Sequence, residues 1–178
     1  MLMNSNKQLS FFEQNSDIQN PKECLATSTI IGRMYIDGAS RNNPGRAGAG
    51  FFLSRGDTTL CEQGFFVGHR TNNQAEYFAL LLGLYFAKEY LEKHEKLLIF
   101  SDSQLLVRQM TGVYKIKDPL LKKMKVVAEH LMKDLKITFC HVNREQNERA
   151  DFLANRGIDK IVLMPKKFVD VLKDYDIE

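Results

Sequence analysis

Long apolar runs are missing from this sequence, paired cysteines are missing, and charge of either sign is nearly balanced. No apolar run approaches the roughly 18 residues that a membrane-spanning helix needs, and Met1 to Asn20 is polar, without the apolar core of a signal peptide. The expectation is a cytoplasmic protein with no membrane partner. The three cysteines, Cys24, Cys61 and Cys140, are odd in number, widely spaced and show no C-x-x-C pair. That pattern speaks against a disulfide framework and against a structural zinc site, and suits a reducing compartment. With a net charge of only +3, bulk charge does not mark a nucleic-acid binder. There is no internal repeat and no low-complexity tract.

What is present describes an ordinary globular chain: 178 residues, 44% hydrophobic and 26% charged, long enough for one domain with a tail or two. Residues 1–30, rich in Asn, Gln and Ser, read as a flexible N-terminal arm. Residues 31–158 read as the folded domain and 159–178 as a C-terminal extension, helical over Pro165 to Tyr175. Short β-rich runs cover Met34 to Asp37, Ala49 to Ser54 and Thr58 to Val67, with turn residues between them. The run from Asn72 to about Leu91 is apolar almost all round and free of proline, as expected of a helix packed between layers. Lys96 to Ser101 and Leu135 to His141 read as strands. Ser103 to Met110, Pro119 to about Asp134 and Asn147 to Arg156 read as helices, with Pro119 well placed in a first turn. The order β-β-β-α-β-α-α-β-α predicts an α/β fold: a mixed five-stranded sheet flanked by helices.

Four carboxylates sit at or beside the ends of these elements: Asp37, Glu76, Asp102 and Asp151. Each has an ordinary explanation alone. Asp37-Gly38 is hairpin-turn chemistry, Glu76 a first-turn acid, Asp102 a helix cap in S-D-S, and Asp151 part of a solvated helix face. Together they read differently, because strands one, four and five of such a sheet can lie side by side. Acids converging there repel unless cations sit among them. Magnesium is a hard ion that prefers carboxylate oxygen, and a pair of such ions about 4 Å apart is the clamp used for in-line displacement at phosphorus. The reading is a phosphodiester cleavage site.

Four blocks carry a resemblance: D-G-A-S-R-N-N-P-G-x-A-G-x-G from Asp37, T-N-N-Q-A-E from Thr71, S-D-S-x-L from Ser101, and H-V-N-R-E-x-N-x-x-A-D from His141. In this order, over about Met34 to Arg156, the chain resembles a ribonuclease H of type 1. The resemblance implies an endonuclease that cuts the RNA strand of RNA/DNA hybrids with two Mg²⁺ ions, Mn²⁺ substituting, and leaves 5′-phosphate and 3′-hydroxyl ends in primer or R-loop removal. It implies that Asp37 bridges both ions while Glu76 and Asp102 complete one and Asp151 the other. Asn43, Asn72 and Asn73 match positions near the hybrid's minor groove, and Thr71 a pocket for a phosphate of the DNA strand. His141 and Arg144 share the expected role beside the leaving group. Asn42 stands where the family usually has Gly, a replacement that the left-handed tolerance of Asn permits. The chain contains no Trp, so the basic, Trp-rich protrusion of some bacterial members is expected to be absent. Lys115, Lys117, Lys122, Lys123 and Lys125 are either phosphate contacts or a solvated face.

Two rivals compete with this reading. One is a hybrid-binding module whose catalysis has been lost, opposed by the four intact acids. The other is a 3′ to 5′ exonuclease, which normally has D-x-E in strand one where this chain has Asp37-Gly38-Ala39. In the arm, Gln8-Leu9-Ser10-Phe11-Phe12 resembles the pentapeptide by which bacterial replication and repair proteins dock on the sliding clamp, anchored through Leu and Phe. Phe11 replaces the usual Leu at its fourth position. A monomer is expected.

Overall fold

The computed structural model describes residues 31–177, so the arm and its Gln8 to Phe12 motif lie outside the described residues. Five strands form one sheet in the order β3-β2-β1-β4-β5: β1 (Gly32–Arg41), β2 (Gly45–Arg55), β3 (Thr58–Arg70), β4 (Lys96–Ser101) and β5 (Lys136–His141). The first three are antiparallel neighbours, whereas β1/β4 and β4/β5 are parallel. The parallel pairs need helical crossovers. These are α1 (Asn72–Tyr90) and the pair α2 (Gln104–Met110) and α3 (Pro119–Met132). After β5 come a short 3₁₀ turn (Arg144–Gln146), α4 (Glu148–Lys160) and α5 (Lys166–Lys173). Among the described residues no helix is long and apolar enough to cross a membrane.

Local chemistry explains the helix starts. Thr71 caps α1 with a reciprocal pair, its hydroxyl accepting from Gln74 N while the Gln74 Oε1 accepts from Thr71 N. Asp118 caps α3 ahead of Pro119 by accepting from Leu121 N at 2.9 Å. In S-D-S the cap is Ser103, whose Oγ accepts from Leu106 N, so Asp102 is left free of capping.

The first hairpin differs from the sequence expectation. The chain does not turn at Asp37-Gly38: β1 stays paired with β2 from Gly32 to Arg41, and Asp37 lies opposite Gly50 in mid-strand. The turn falls at Asn42 to Pro44, where Asn42 takes φ 72°, the left-handed conformation that asparagine tolerates. The strand was illegible here because its residues are small rather than apolar. They are small because helix backbones press on them. A Cβ at Gly38 would lie 2.1 Å from Glu76 N in α1, and one at Gly50 would lie 2.4 Å from Ala150 O in α4.

Side chains alternate across a sheet, so Asp37 points to the face opposite Gly38. Helix α1 packs on β1 and β2 from the Gly38 side, with α3 against α1, while α4 packs on β1, β2 and β3 from the other. The main core lies under α1, where Met34, Ile36, Phe51, Tyr77, Phe78 and Leu81 are fully buried or nearly so. Helix α4 continues past Arg156 to Lys160, across the boundary expected at residue 158, because Gly157 and Ile158 are still buried against the sheet. In the C-terminal segment Phe168, Leu172 and Ile177 join the main core, and the Phe168 ring meets Tyr85 edge-on at 5.3 Å. Burying a phenylalanine of this kind contributes about 1.5–3 kcal/mol.

Candidate active site

Three acids meet over the centre of the sheet. One ligand oxygen from each of Asp37, Glu76 and Asp102 lies within 4.8 Å of the others. Asp37 comes from the middle of β1, Asp102 follows the end of β4, and Glu76 enters from the second turn of α1. The Glu76 carboxylate reaches Asp37 because Gly38 leaves no side chain between β1 and the helix. Asp37 and Glu76 are each only 5% exposed.

The electrostatics follow from that crowding. Burial pushes the Asp37 carboxyl up to about 8, with further upward pressure from Asp102 and Asp151, against the Gly38 amide and the Arg144 guanidinium, which pull it down. Burial also raises Glu76 well above the usual carboxylate range, followed by repulsion from Asp37 and Asp102, and again the Gly38 amide opposes the shift. The Glu76 Oε2 is buried without a hydrogen-bond partner. An orphaned carboxylate oxygen beside two other acids is a binding opportunity for a hard cation, and the all-oxygen donor set fits magnesium or manganese.

Asp151 stands apart from this tight group. It projects from the first turn of α4, near enough to raise Asp37, and pairs with the exposed Arg144 at 3.5 Å. His141 ends β5 as expected, but its Nε2 lies 3.2 Å from the Asp102 backbone carbonyl. Of the two groups expected beside a leaving group, the ring is thus tied to the backbone while the guanidinium is held only by an exposed ion pair.

The candidate substrate residues gather where the C-terminal end of β1 meets the start of α1. Asn43 Oδ1 accepts from Asn72 N at 2.9 Å, joining the first hairpin to the start of α1. Ser40 Oγ donates to Arg70 O at 2.8 Å and also hydrogen-bonds to Asn42 O, which braces the same turn. Asn73 is exposed in the first turn of α1. Thr71, half-buried, spends its hydroxyl lone pair on the cap and keeps a proton to donate.

Sequence reasoning assigned no role to Asn147, which the structure puts at the heart of the site. It is 1% exposed, and its Nδ2 donates to Ile36 O and to Asp102 Oδ1, each at 2.9 Å. The available signal was its place four residues before Asp151, on the same side of a helical turn.

Comparison with known proteins agrees with this geometry. A family model described as "Reverse transcriptase-like" matches residues 35–157. A ribonuclease HI of Halobacterium salinarum is 43% identical over 129 residues, which are 70% of this chain and 63% of that relative, so the chain spans less than two thirds of that relative's length. The crystal structure of RNase H1 from Halobacterium salinarum superposes with a TM-score of 0.68 at 40% identity, covering 72% of this chain and 98% of that one. LC11-RNase H1, solved in complex with an RNA/DNA hybrid, gives a TM-score of 0.66 at 38% identity, covering 72% of this chain and 97% of that one.

Proposed function

This chain belongs to the type 1 ribonuclease H family, and from that premise we propose that it is an endonuclease hydrolysing the RNA strand of RNA/DNA hybrids to 5′-phosphate and 3′-hydroxyl ends. The cluster of Asp37, Glu76 and Asp102 carries the proposal. Support for the substrate comes from the similar LC11-RNase H1, which binds a hybrid. Two divalent cations, Mg²⁺ or Mn²⁺ in its place, held by these three acids and Asp151, would supply an activated water and neutralise charge at phosphorus.

The chain's own residues bind, orient and discriminate. Asn43, Asn72 and Asn73 present amides that both donate and accept, suited to the 2′-hydroxyls displayed in the wide minor groove of an A-like duplex. The Asn43 acceptor is already used by Asn72 N, which leaves its Nδ2 donors for the RNA. Thr71, at the start of α1, combines a hydroxyl donor with the positive end of a helix dipole, a site suited to a phosphate of the DNA strand. The Arg144 guanidinium is exposed beside Asp151, so it can stabilise negative charge on the leaving oxygen. His141, tied to the Asp102 carbonyl, has the lesser part. A hybrid-binding module without catalysis is disfavoured, because mutual burial of Asp37 and Glu76 costs stability that binding alone does not require.

A nuclease assay on RNA/DNA, RNA/RNA and DNA/DNA duplexes tests the proposal. Hybrid is expected to be cut with Mg²⁺ or Mn²⁺ and to survive in EDTA, while the other two duplexes define the substrate range. Arg144→Ala is expected to lower kcat by roughly 10²-fold, as for loss of one positioned electrostatic group, and His141→Ala by less than about tenfold. Undiminished cutting in EDTA would remove the basis of the assignment.

The same reading extends to location and partners: a cytoplasmic monomer acting in primer or R-loop removal, with Gln8, Leu9, Phe11 and Phe12 docking on a bacterial sliding clamp. Tethering would raise its concentration near newly made hybrids. Immobilised clamp should retain the full chain and release it after Leu9→Ala with Phe12→Ala; equal retention ends the clamp proposal.

A further inference from the structure

We propose that Asn147 is a positioning residue that sets the orientation of the Asp102 carboxylate for the divalent cation, an inference that rests on the nuclease reading above. One Nδ2 group donates to two acceptors at 2.9 Å, the Ile36 carbonyl immediately before Asp37 and the Asp102 Oδ1. A single side chain thus ties together the two strands that carry two of the clustered acids. Because both partners are acceptors, only the amide nitrogen can face them, which fixes the orientation of the amide.

The contact with Asp102 does what no other described hydrogen bond to that carboxylate does. Its backbone is held elsewhere: the His141 ring takes its carbonyl, and the neighbouring Ser101 Oγ accepts from Ser103 N. With Oδ1 engaged by Asn147, the carboxylate is held in one orientation beside Asp37 and Glu76. A neutral donor suits this place, since a lysine or arginine would compete with the cation for the same oxygens.

The arrangement carries a cost that favours a functional account. Asn147 is 1% exposed and its own Oδ1 has no hydrogen-bond partner. Buried acceptors are rarely left unpaired, so the two donor bonds to Ile36 O and Asp102 Oδ1 offset that cost and account for an amide at this place. Partners that orient a metal-binding carboxylate change metal affinity by about 10- to 100-fold when removed.

The test uses the full chain with Asn147→Ala, the near-isosteric Asn147→Leu and the one-donor Asn147→Ser. Direct Mn²⁺ binding is followed by electron paramagnetic resonance, beside kcat and KM for hybrid and the melting temperature of the metal-free protein. For Ala and Leu the half-saturating Mn²⁺ concentration should rise by about tenfold or more and kcat should fall, with KM for hybrid nearly unchanged; Ser should lie between them and wild type. A merely structural role would move the melting temperature alone. If Ala and Leu fail to fold, Ser decides. Mn²⁺ binding within about twofold of wild type in a folded variant overturns the inference. Failure of the wild-type chain to cut hybrid would instead strike the nuclease reading, while the Mn²⁺ titration still judges the role of Asn147.

Discussion

Asp37→Asn is expected to abolish hybrid cleavage, by on the order of 10³-fold or more, while making the metal-free protein more stable at pH 8. The loss follows from removing the acid shared by the whole cluster: several kcal/mol of charge stabilisation corresponds to about a factor of ten for each 1.4 kcal/mol. The gain in stability comes from the same burial. In the folded protein the Asp37 carboxyl is pushed up to about 8, first by burial and then by Asp102 and Asp151. The unfolded chain releases that proton in the ordinary carboxylate range, so between that range and about pH 8 the native state binds more protons than the unfolded state. Stability therefore falls as pH rises through this window. Glu76, raised for the same reasons, adds to the slope in the same direction.

An amide at position 37 removes the obligation to ionise. If Asp37→Asn relieves about 2 kcal/mol at pH 8, the melting temperature rises by roughly 4–8 °C for a domain of this size. Added Mg²⁺ should raise the wild-type melting temperature at pH 8 and leave the variant nearly unaffected, because a ligand that binds the native state stabilises it. Calorimetry across pH 5 to 8.5, roughly the window named, measures all of this. A flat wild-type profile without metal would show that the acids do not share a buried site.

Gly38→Ala is expected to be the most damaging change that leaves every carboxylate in place. The new methyl would lie 2.1 Å from Glu76 N and 2.2 Å from Ala75 C, both backbone atoms of α1. A side-chain tip can rotate away from such a clash, but a helix backbone must be displaced as a unit. The expected cost is about 3 kcal/mol or more, at the severe end of overpacking. The start of α1 would retreat from β1, carrying Glu76 away from both Asp37 and the Gly38 amide. Urea denaturation should show the lost stability, and cleavage should fall at least about 100-fold in the folded fraction, a loss of nearly 3 kcal/mol in transition-state stabilisation. An unchanged denaturation midpoint would refute the close approach of strand and helix.

Much of this architecture is written in local pattern. The nearly all-round apolar run of α1, the Asp118-Pro119 start of α3 and the short apolar runs of β4 and β5 each declare themselves within a few residues. The stretch from Gly38 to Gly48 does not, because its strand character depends on helices that arrive from elsewhere in the chain. Small residues there look like a loop until α1 and α4 are seen pressing on them. Helix α4 runs on past Arg156 for a related reason: glycine is a poor helix former, yet the close contact with Phe65 makes it the residue that fits inside the helix at Gly157.

What the sequence determined by itself was the order of the elements and the identity of the acids, because periodicity, caps and short motifs are properties of neighbours along the chain. What only the tertiary structure decided was their arrangement: Asp37 in mid-strand, three acids within 4.8 Å, Asp151 drawn toward Arg144, and Asn147 spanning β1 and Asp102. Those relations join residues up to 111 positions apart. No local pattern encodes such a contact; it exists only once the sheet and its helices have packed, when burial makes the distances short and the charges costly.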